Sequence, residues 1–199
     1  GMGTIAPNPF YTKEIAAVCM EKIFLPTVAA MNEEGRTFKG CLYFGLMLTE
    51  DGPKVIEYNC RFGDPETQVV LPLLESDLLE IMLAVADGRL AETEVKFSSD
   101  SACCVVLASA GYPLQYETGF EIALPALKEN EYVFIAGAKR KDGRLVTSGG
   151  RVLGATARAK DLATAVKNAY ALSGRIAFEN AYKRGDIGAR ALAALKEKN

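Results

Sequence analysis

Three polar side chains with complementary chemistry alternate along one short segment, Lys54–Arg61. The segment follows an Asp-Gly-Pro turn, and with the apolar run before that turn it predicts a β-hairpin. Every second side chain of a strand points to the same face, so Glu57, Asn59 and Arg61 share one face. Neighbours on that face are about 6–7 Å apart. The segment therefore offers a carboxylate, an amide oxygen and a guanidinium side by side.

These three groups suit a metal–phosphate site. Glu57 and Asn59 can supply hard oxygen ligands to one Mg²⁺ ion at about 2.1 Å. Arg61 can bind a phosphate with two parallel hydrogen bonds. A nucleoside triphosphate requires this combination, because the metal neutralises phosphate oxygens while the arginine holds the group in transfer. Asp64-Pro65-Glu66 follows, with residue types that favour the start of a helix.

The pattern alone leaves a plainer interpretation open. A polar strand face is commonly the solvated face of an antiparallel sheet. The run Asp64-Pro65-Glu66 is equally explained as a helix cap that serves no ligand. The residues and their spacing do not decide between the two interpretations.

The 199-residue chain contains no histidine. This excludes Ser-His-Asp and Cys-His catalysis and histidine-ligated zinc sites within the chain. Chemistry here must depend on carboxylates, lysines, arginines, backbone N–H groups or a hard metal ion with oxygen ligands.

Composition narrows the class of protein further. The net charge of -2 and the absence of a basic stripe argue against a nucleic-acid partner. The longest apolar runs, such as Cys41–Leu48, are far too short for a membrane span. The first residues, Gly1–Thr4, lack the features of a signal peptide. Five cysteines without CxxC spacing predict free thiols in a reducing cytoplasm.

The first part of the chain predicts helices around one hairpin. A helix is expected from a cap at Thr12 to Gly35, kinked or broken at Pro26. The hairpin joins Gly40–Leu48, which we interpret as a buried strand, to the polar strand described above. Further helices are expected from Asp64, with an interruption at Pro72, and from Ser76-Asp77 to Gly88; residues 4–11 are expected to form a loop.

The second part predicts a strand-rich domain. Residues 90–101 are polar and without periodicity, so we place a domain boundary there, with domains at 1–95 and 96–199. The expected strands are Ala102–Ala108, Phe120–Leu124, Tyr132–Ala138, Leu145–Thr147 and Arg151–Ala157. A helix is expected from Asp161, and a last short one at Ala189–Lys196. The predicted class is α+β: antiparallel strands with helices, then a small β-rich domain.

The run from Glu57 to Gln68, EYNCRFGDPETQ, resembles the signature of phosphoribosylamine–glycine ligases nearly residue for residue. The resemblance covers essentially all 199 residues. Further similar segments stand in the family's order: Gly1-Met2-Gly3, Ala6-Pro7, Gly40–Met47, Ala110–Pro113, Gly149–Leu153 and Asp186–Arg190.

The resemblance implies an ATP-grasp fold, of which residues 1–95 would form the second part. It also implies a reaction of purine biosynthesis. ATP phosphorylates the carboxylate of glycine, and the amine of 5-phosphoribosylamine attacks the resulting glycyl phosphate. The products are glycinamide ribonucleotide, ADP and phosphate.

On matching positions, the resemblance makes Glu57 and Asn59 the ligands of Mg²⁺ or Mn²⁺. Arg61 would contact the transferring phosphoryl group of ATP. Asp64, Pro65 and Glu66 would lie near the substrates, with Asp64 and Glu66 among the catalytic groups. Gly3 would belong to the end of the family's glycine-rich substrate loop.

The chain also departs from the family. Ile135 stands where the family usually has histidine, and Ala138 replaces a usual threonine. The family carries an N-terminal substrate domain and a nucleotide-clamping lobe that have no counterpart here, so we expect the chain alone to be inactive or very weak. The missing N-terminal half is then a candidate partner. Two alternatives remain: a non-catalytic, partner-binding remnant, and another ATP-grasp carboxylate–amine ligase.

Overall fold

A computed structural model describes residues 1–197. Residues 198 and 199, the end of the expected C-terminal domain, lie outside the described residues. The strands are β1 Gly3–Ala6, β2 Tyr43–Thr49, β3 Gly52–Asn59, β4 Ser101–Ser109, β5 Glu131–Ile135, β6 Ala138–Lys141, β7 Arg144–Thr147, β8 Arg151–Ala159 and β9 Ala181–Tyr182. The helices are α1 Lys13–Cys19, α2 Leu25–Glu33, α3 Thr67–Val70, α4 Leu78–Asp87, α5 Leu162–Ser173 and α6 Ala189–Glu197.

The described residues form two compact units. The sheet unit combines Gly1–Asn8 and Asp64–Leu73 with the chain from Ser98 onwards. The hairpin unit comprises Pro9–Gly63 and Leu74–Phe97. These units are defined by which residues pack together, whereas the predicted domains, 1–95 and 96–199, are continuous stretches of sequence. The predicted domain boundary therefore stays a proposal.

An antiparallel sheet in the order β1-β4-β8-β5 forms the centre of the sheet unit, and β9 pairs with the end of β4. All nine residues of β4 are buried. Cys103 and Val105 pack against α5 and α6, while Cys104 and Val106 pack against the segment of α3. Because both faces of β4 are covered, its sequence is an almost continuous apolar run rather than an alternating one.

Helix α5 confirms the expected inner face. Asp161 caps it by accepting a hydrogen bond from the Thr164 N–H at 2.8 Å. Leu162, Ala165, Val166 and Ala169 are buried against the sheet, as their spacing predicts. Tyr170 is only partly buried, and its hydroxyl accepts a hydrogen bond from the Ile187 N–H at 2.8 Å.

In the hairpin unit, the long first helix begins at the expected cap. The Thr12 hydroxyl accepts a hydrogen bond from the Ile15 N–H at 3.3 Å. Pro26 does not break the helix: a π-helical turn, Met20–Phe24, lies between α1 and α2. Proline lacks an N–H and crowds the preceding turn, and a π-turn accommodates both. Gly35, with φ of 68°, ends the helix as predicted.

Strands β2 and β3 form the predicted hairpin around a turn at Glu50-Asp51. The prediction that the first strand is buried is wrong, because β2 ranges from half-buried to exposed and Met47 is 54% exposed. The two strands form a sheet of their own, so apolar sequence here does not produce burial.

Four further expectations are corrected. Helix α3 begins at Thr67 rather than Asp64, because the Asp64 carboxylate binds side chains instead of capping N–H groups. Phe120–Leu124 makes only isolated bridges, and Tyr132–Ala138 is divided into β5 and β6 by a bend. Residues 3–6 are a strand, since β4 supplies a pairing edge that local sequence does not reveal.

Candidate metal and nucleotide site

Glu57 and Asn59 lie next to each other on β3. The Asn59 Nδ2 atom donates a hydrogen bond to Glu57 Oε1 at 3.0 Å. Glu57 is exposed and Asn59 is half-buried, so solvent reaches both side chains. The expected common face is thus confirmed for this pair, and the role of the pair as metal ligands stays a prediction.

Gly45 gives Glu57 its space. The two residues face each other across the hairpin, and a β-bulge at Ile56 lies immediately before Glu57 on β3. A Cβ atom on Gly45 would lie 2.7 Å from Glu57 Cγ, closer than side chains tolerate. The missing side chain at Gly45 therefore allows Glu57 to extend beside Asn59.

The donor set of this pair fits a Mg²⁺ or Mn²⁺ ion that is held mainly by a nucleotide. Magnesium keeps most of its octahedral ligands as water or phosphate oxygens and takes only one or two carboxylates. Among residues 1–197, no three Asp, Glu, Cys or His side chains form a metal-binding group. Glu57 and Asn59 can supply one carboxylate and one amide oxygen, which suits an ion that arrives with phosphates.

Arg61 lies two residues beyond the observed end of β3, so the strand is shorter than predicted. Its Nη1 atom donates a hydrogen bond to the Phe62 carbonyl at 2.8 Å, and its side chain is exposed. A guanidinium has five N–H donors, and this bond occupies one of them. Arg61 therefore remains able to hold a phosphoryl group.

In the sheet unit, Asp64 is the partner of an arginine that the sequence interpretation did not select. The Arg151 guanidinium forms an ion pair with the Asp64 carboxylate and also donates to the Asp64 carbonyl at 3.3 Å. The same guanidinium donates to the Gly1 carbonyl at 2.9 Å. Gln68 Nε2 donates to the other Asp64 oxygen at 3.2 Å. Arg151 thus ties the first residues of the chain to the segment at Asp64.

The other expected substrate residues of the sheet unit are Pro65, Glu66 and Gly3. Pro65 is buried, and Glu66 is half-buried and precedes α3, where its carbonyl accepts the Val70 N–H at 3.0 Å. Gly3 lies in β1, where a Cβ atom would come within 2.8 Å of the Cys104 carbonyl oxygen. Glycine at this position permits the close approach of β1 to β4.

The sequence interpretation missed Arg151 and Gly45. Arg151 stands in the segment Gly149–Leu153, whose likeness to the family was noted but whose side chain carried no assigned role. Gly45 stands in an apolar run, where a glycine gives no chemical signal. Only the register of the hairpin shows that it faces Glu57.

Two segments of the chain match models of the same protein family. Residues 1–67 match the ATP-grasp (A) domain of phosphoribosylglycinamide synthetase, and residues 102–190 match its C domain. The phosphoribosylamine–glycine ligase of Caldanaerobacter subterraneus subsp. tengcongensis is 49% identical over 190 residues, covering 95% of this chain and 45% of that protein. That of Vibrio parahaemolyticus is 46% identical, covering 100% of this chain and 47% of the relative. The chain spans about half the length of these relatives.

Solved structures agree on the fold. Phosphoribosylamine–glycine ligase from Thermotoga maritima has a TM-score of 0.82 at 37% identity, covering 94% of this chain and 46% of that one. The biotin carboxylase domain of 2-oxoglutarate carboxylase from Hydrogenobacter thermophilus has a TM-score of 0.65 over 92% of this chain and 40% of that one. At 16% identity, this likeness concerns the fold alone. The mixed architecture with antiparallel sheets confirms the predicted α+β class and ATP-grasp relationship. The chain belongs to the phosphoribosylamine–glycine ligase family.

Proposed function

We propose that this chain forms part of an enzyme that uses ATP to join glycine to 5-phosphoribosylamine. The products are glycinamide ribonucleotide, ADP and phosphate. The observation that carries the proposal is the side-by-side placement of Glu57 and Asn59 on β3, in a chain of this family. A carboxylate and an amide oxygen side by side on one strand are donors that suit a nucleotide-bound cation.

Glu57 and Asn59 would hold Mg²⁺ or Mn²⁺, which neutralises phosphate charge when it is bound. The Asn59 amide nitrogen faces Glu57 at present. We infer that the amide turns about its Cβ–Cγ bond, breaks this hydrogen bond and presents Oδ1. Arg61 would hold the phosphoryl group as it passes from ATP to the carboxylate of glycine.

The other expected site residues would position the substrates. Arg151 fixes Asp64 and the main chain of Gly1, so we assign Asp64 a role in holding the substrate segment together with Pro65. Glu66 remains a catalytic candidate, because its half-buried carboxylate precedes α3 in the same segment. Gly3 would contribute main-chain groups to substrate binding.

The matched part makes up 45% of one relative and 47% of the other, so each relative contains a further stretch of similar length. We propose that the N-terminal half of such a relative is needed for turnover, and that the chain alone is inactive or very weak. The complete enzyme would act on small molecules in the cytoplasm, without a nucleic-acid or membrane partner. Within residues 1–197, none of the helices has the length and apolar character needed to cross a bilayer.

An isotope experiment tests the proposed chemistry. The protein is a fused chain, in which the N-terminal half of the Caldanaerobacter relative is joined to this complete chain. Glycine labelled with ¹⁸O in its carboxylate is supplied with ATP, Mg²⁺ and 5-phosphoribosylamine. If the carboxylate is phosphorylated, its carbon–oxygen bond breaks when the amine attacks. One ¹⁸O atom then leaves with the released phosphate.

Phosphate with one ¹⁸O supports the proposal, provided that Glu57→Gln abolishes its formation. Phosphate without label, or turnover that is independent of glycine, contradicts it. Turnover with another amine but not with 5-phosphoribosylamine identifies a different carboxylate–amine ligase. A fused chain that binds nucleotide but never turns over identifies a non-catalytic remnant.

A further inference from the structure

Strand β8 supports the segment that begins at Asp64 along most of its length. Arg151, the first residue of β8, forms the ion pair with Asp64. Further along the strand, a Cβ atom on Gly154 would lie 3.9 Å from Gln68 Cγ. Arg158, near the other end of β8, donates a hydrogen bond at 3.2 Å to a main-chain carbonyl just beyond α3. Gln68 therefore lies over the middle of three successive contacts.

Two polar atoms near this middle contact are buried, and neither has a hydrogen-bond partner among residues 1–197: Gln68 Oε1 and Thr156 Oγ1. Thr156 is 0% exposed and lies opposite Cys104 in the sheet, so the two side chains share a face. That face is the one covered by the segment of α3, which contains Gln68. The Cys104 thiol beside Thr156 is a weak partner that does not satisfy its hydroxyl. Both groups gave up water on folding, and such groups normally regain a hydrogen bond.

The orientation of the Gln68 amide follows from its other end. Its Nε2 atom donates a hydrogen bond to Asp64 Oδ1 at 3.2 Å. A carboxylate only accepts hydrogen bonds, so the amide nitrogen must face it and the oxygen must point away. Gln68 Cγ lies over Gly154, and Thr156 follows on the same face of β8 because alternate side chains of a strand share a face. Gln68 Oε1 and the Thr156 hydroxyl therefore lie in the same buried interface between α3 and β8.

The chemistry of these two groups matches a single water molecule. A carbonyl oxygen only accepts hydrogen bonds, whereas a hydroxyl both donates and accepts. One water can donate to Gln68 Oε1 and form a second hydrogen bond with Thr156 Oγ1. Internal waters occupy sites of this kind, where at least two otherwise unsatisfied polar groups meet. The missing side chain at Gly154 keeps the adjoining face of β8 open.

We propose that one internal water joins Gln68 Oε1 to Thr156 Oγ1, and that both residues position Asp64. The bridge fixes the Gln68 oxygen, so the planar amide holds its nitrogen against Asp64 Oδ1. Arg151 binds the other carboxylate oxygen. Asp64 is thus supported on both oxygens, and Gln68 and Thr156 are positioning residues that touch no substrate. The inference rests on the proposed function, in which Asp64 holds the substrate segment.

The chain contains only two glutamines, so the Gln68 amide can be observed selectively. The other is Gln115, which is exposed and serves as an internal reference. In this chain labelled with ¹⁵N-glutamine, NMR relaxation gives an order parameter for each side-chain amide. We expect about 0.8 for a bridged Gln68 and below about 0.6 for Gln115. The variant Gln68→Met assigns the spectrum, because it removes the Gln68 signals.

Threonine variants separate the bridge from general effects on stability. Thr156→Val removes the hydroxyl with little change in volume, so it should release the Gln68 amide and bring its order parameter close to that of Gln115. Thr156→Ser keeps the hydroxyl and should keep the amide rigid. Thr147→Val is the matched control, because Thr147 is also 0% exposed but its hydroxyl oxygen accepts hydrogen bonds from two main-chain N–H groups. The control should leave Gln68 rigid even where it weakens the fold.

A crystal structure of this chain tests the bridge without any variant. It should show one water within hydrogen-bonding distance of both Gln68 Oε1 and Thr156 Oγ1. A direct hydrogen bond between these two atoms, with no water at either, overturns the proposal. A Gln68 amide as mobile as that of Gln115 in the unmodified chain also overturns it, and so does equal release of Gln68 by Thr156→Val and Thr147→Val.

Catalysis is read separately in the fused chain. Thr156→Val should lower kcat/KM for glycine-dependent ADP release about tenfold, because a misplaced substrate group slows turnover, whereas Thr156→Ser should retain activity. An active fused chain whose Thr156→Val form keeps its full kcat/KM overturns the positioning role. A fused chain without any turnover counts against the proposed ligase activity, while the crystal structure and the order parameters still decide on the bridge.

Discussion

Replacing Gly45 by alanine should damage the cation site far more than the fold. The added Cβ would lie 2.7 Å from Glu57 Cγ, whereas ordinary contact begins at 3.4 Å, so the side chain must yield about 0.7 Å. The Glu57 carboxylate extends from this carbon, and its hydrogen bond with Asn59 would be displaced too. The two oxygen donors would no longer meet at one point.

The expected magnitudes differ for stability and binding. An off-rotamer glutamate on an exposed hairpin costs about 0.5–1.5 kcal/mol of the free energy of unfolding. Misplacing the support of a metal ligand typically costs about 10–100-fold in affinity. We therefore expect at least about tenfold weaker Mn²⁺ binding by the fused chain in the presence of a non-hydrolysable ATP analogue, with only a small change in stability.

Titration of Mn²⁺, followed by electron paramagnetic resonance of the free ion, measures this affinity. Gly185→Ala is the matched control, because a Cβ there meets nothing within 4 Å. Unchanged Mn²⁺ affinity in a folded Gly45→Ala protein would refute the argument that Gly45 makes room for a ligand. Equal loss in both variants would show a general effect of the glycine substitutions.

Three other predictions concern the sheet unit. Hydrogen bonds from Lys160 and Arg158 hold the pKa of Asp100 below its ordinary value of 3.8, so Asp100 contributes stability that is lost as pH falls below that value. Asp100→Asn should lower the urea midpoint of unfolding at neutral pH and should weaken the fall of that midpoint as the pH is lowered. A variant whose midpoint falls with decreasing pH as steeply as that of the unmodified chain would contradict this prediction. Burial raises the pKa of the Cys103 thiol to about 12, whereas Cys60 is exposed. A maleimide should therefore label Cys60 quickly and leave Cys103 unmodified until the chain unfolds. Comparable labelling rates for the two thiols in the folded chain would contradict this prediction. A double-mutant cycle of Arg151→Met and Asp64→Asn should give a coupling of about 1 kcal/mol in urea unfolding, and strict additivity would show that their ion pair contributes nothing.

Local chemistry made several elements predictable. Asp77 and Gly88 mark the two ends of α4, and both lie where the sequence places them, because caps act within one turn. The face of α5 was predictable because the buried residues repeat at helical spacing. The Glu57–Asn59 pair followed from strand alternation, which the bulge at Ile56 leaves intact because it precedes both residues.

Features that depend on distant partners were not predictable in the same way. Strand β1 exists because β4, about a hundred residues later in the chain, pairs with it. The capping role expected for Asp64 failed because Arg151 binds its carboxylate, and no local pattern indicates that contact. The apolar residues of β2 predicted burial, yet burial also requires a covering surface, which the described residues do not place over the whole strand.

ADP release is the most direct test of the central claim, which is that Glu57 and Asn59 serve ATP-dependent ligation of glycine once the N-terminal half is present. It should be measured with ATP, Mg²⁺, glycine and 5-phosphoribosylamine for this chain alone, the fused chain, and the fused chain carrying Glu57→Gln. We predict ADP release that depends on both substrates in the fused chain only. Full activity in the Glu57→Gln protein would contradict the assigned metal site, and equal activity of this chain alone would contradict the need for the N-terminal half.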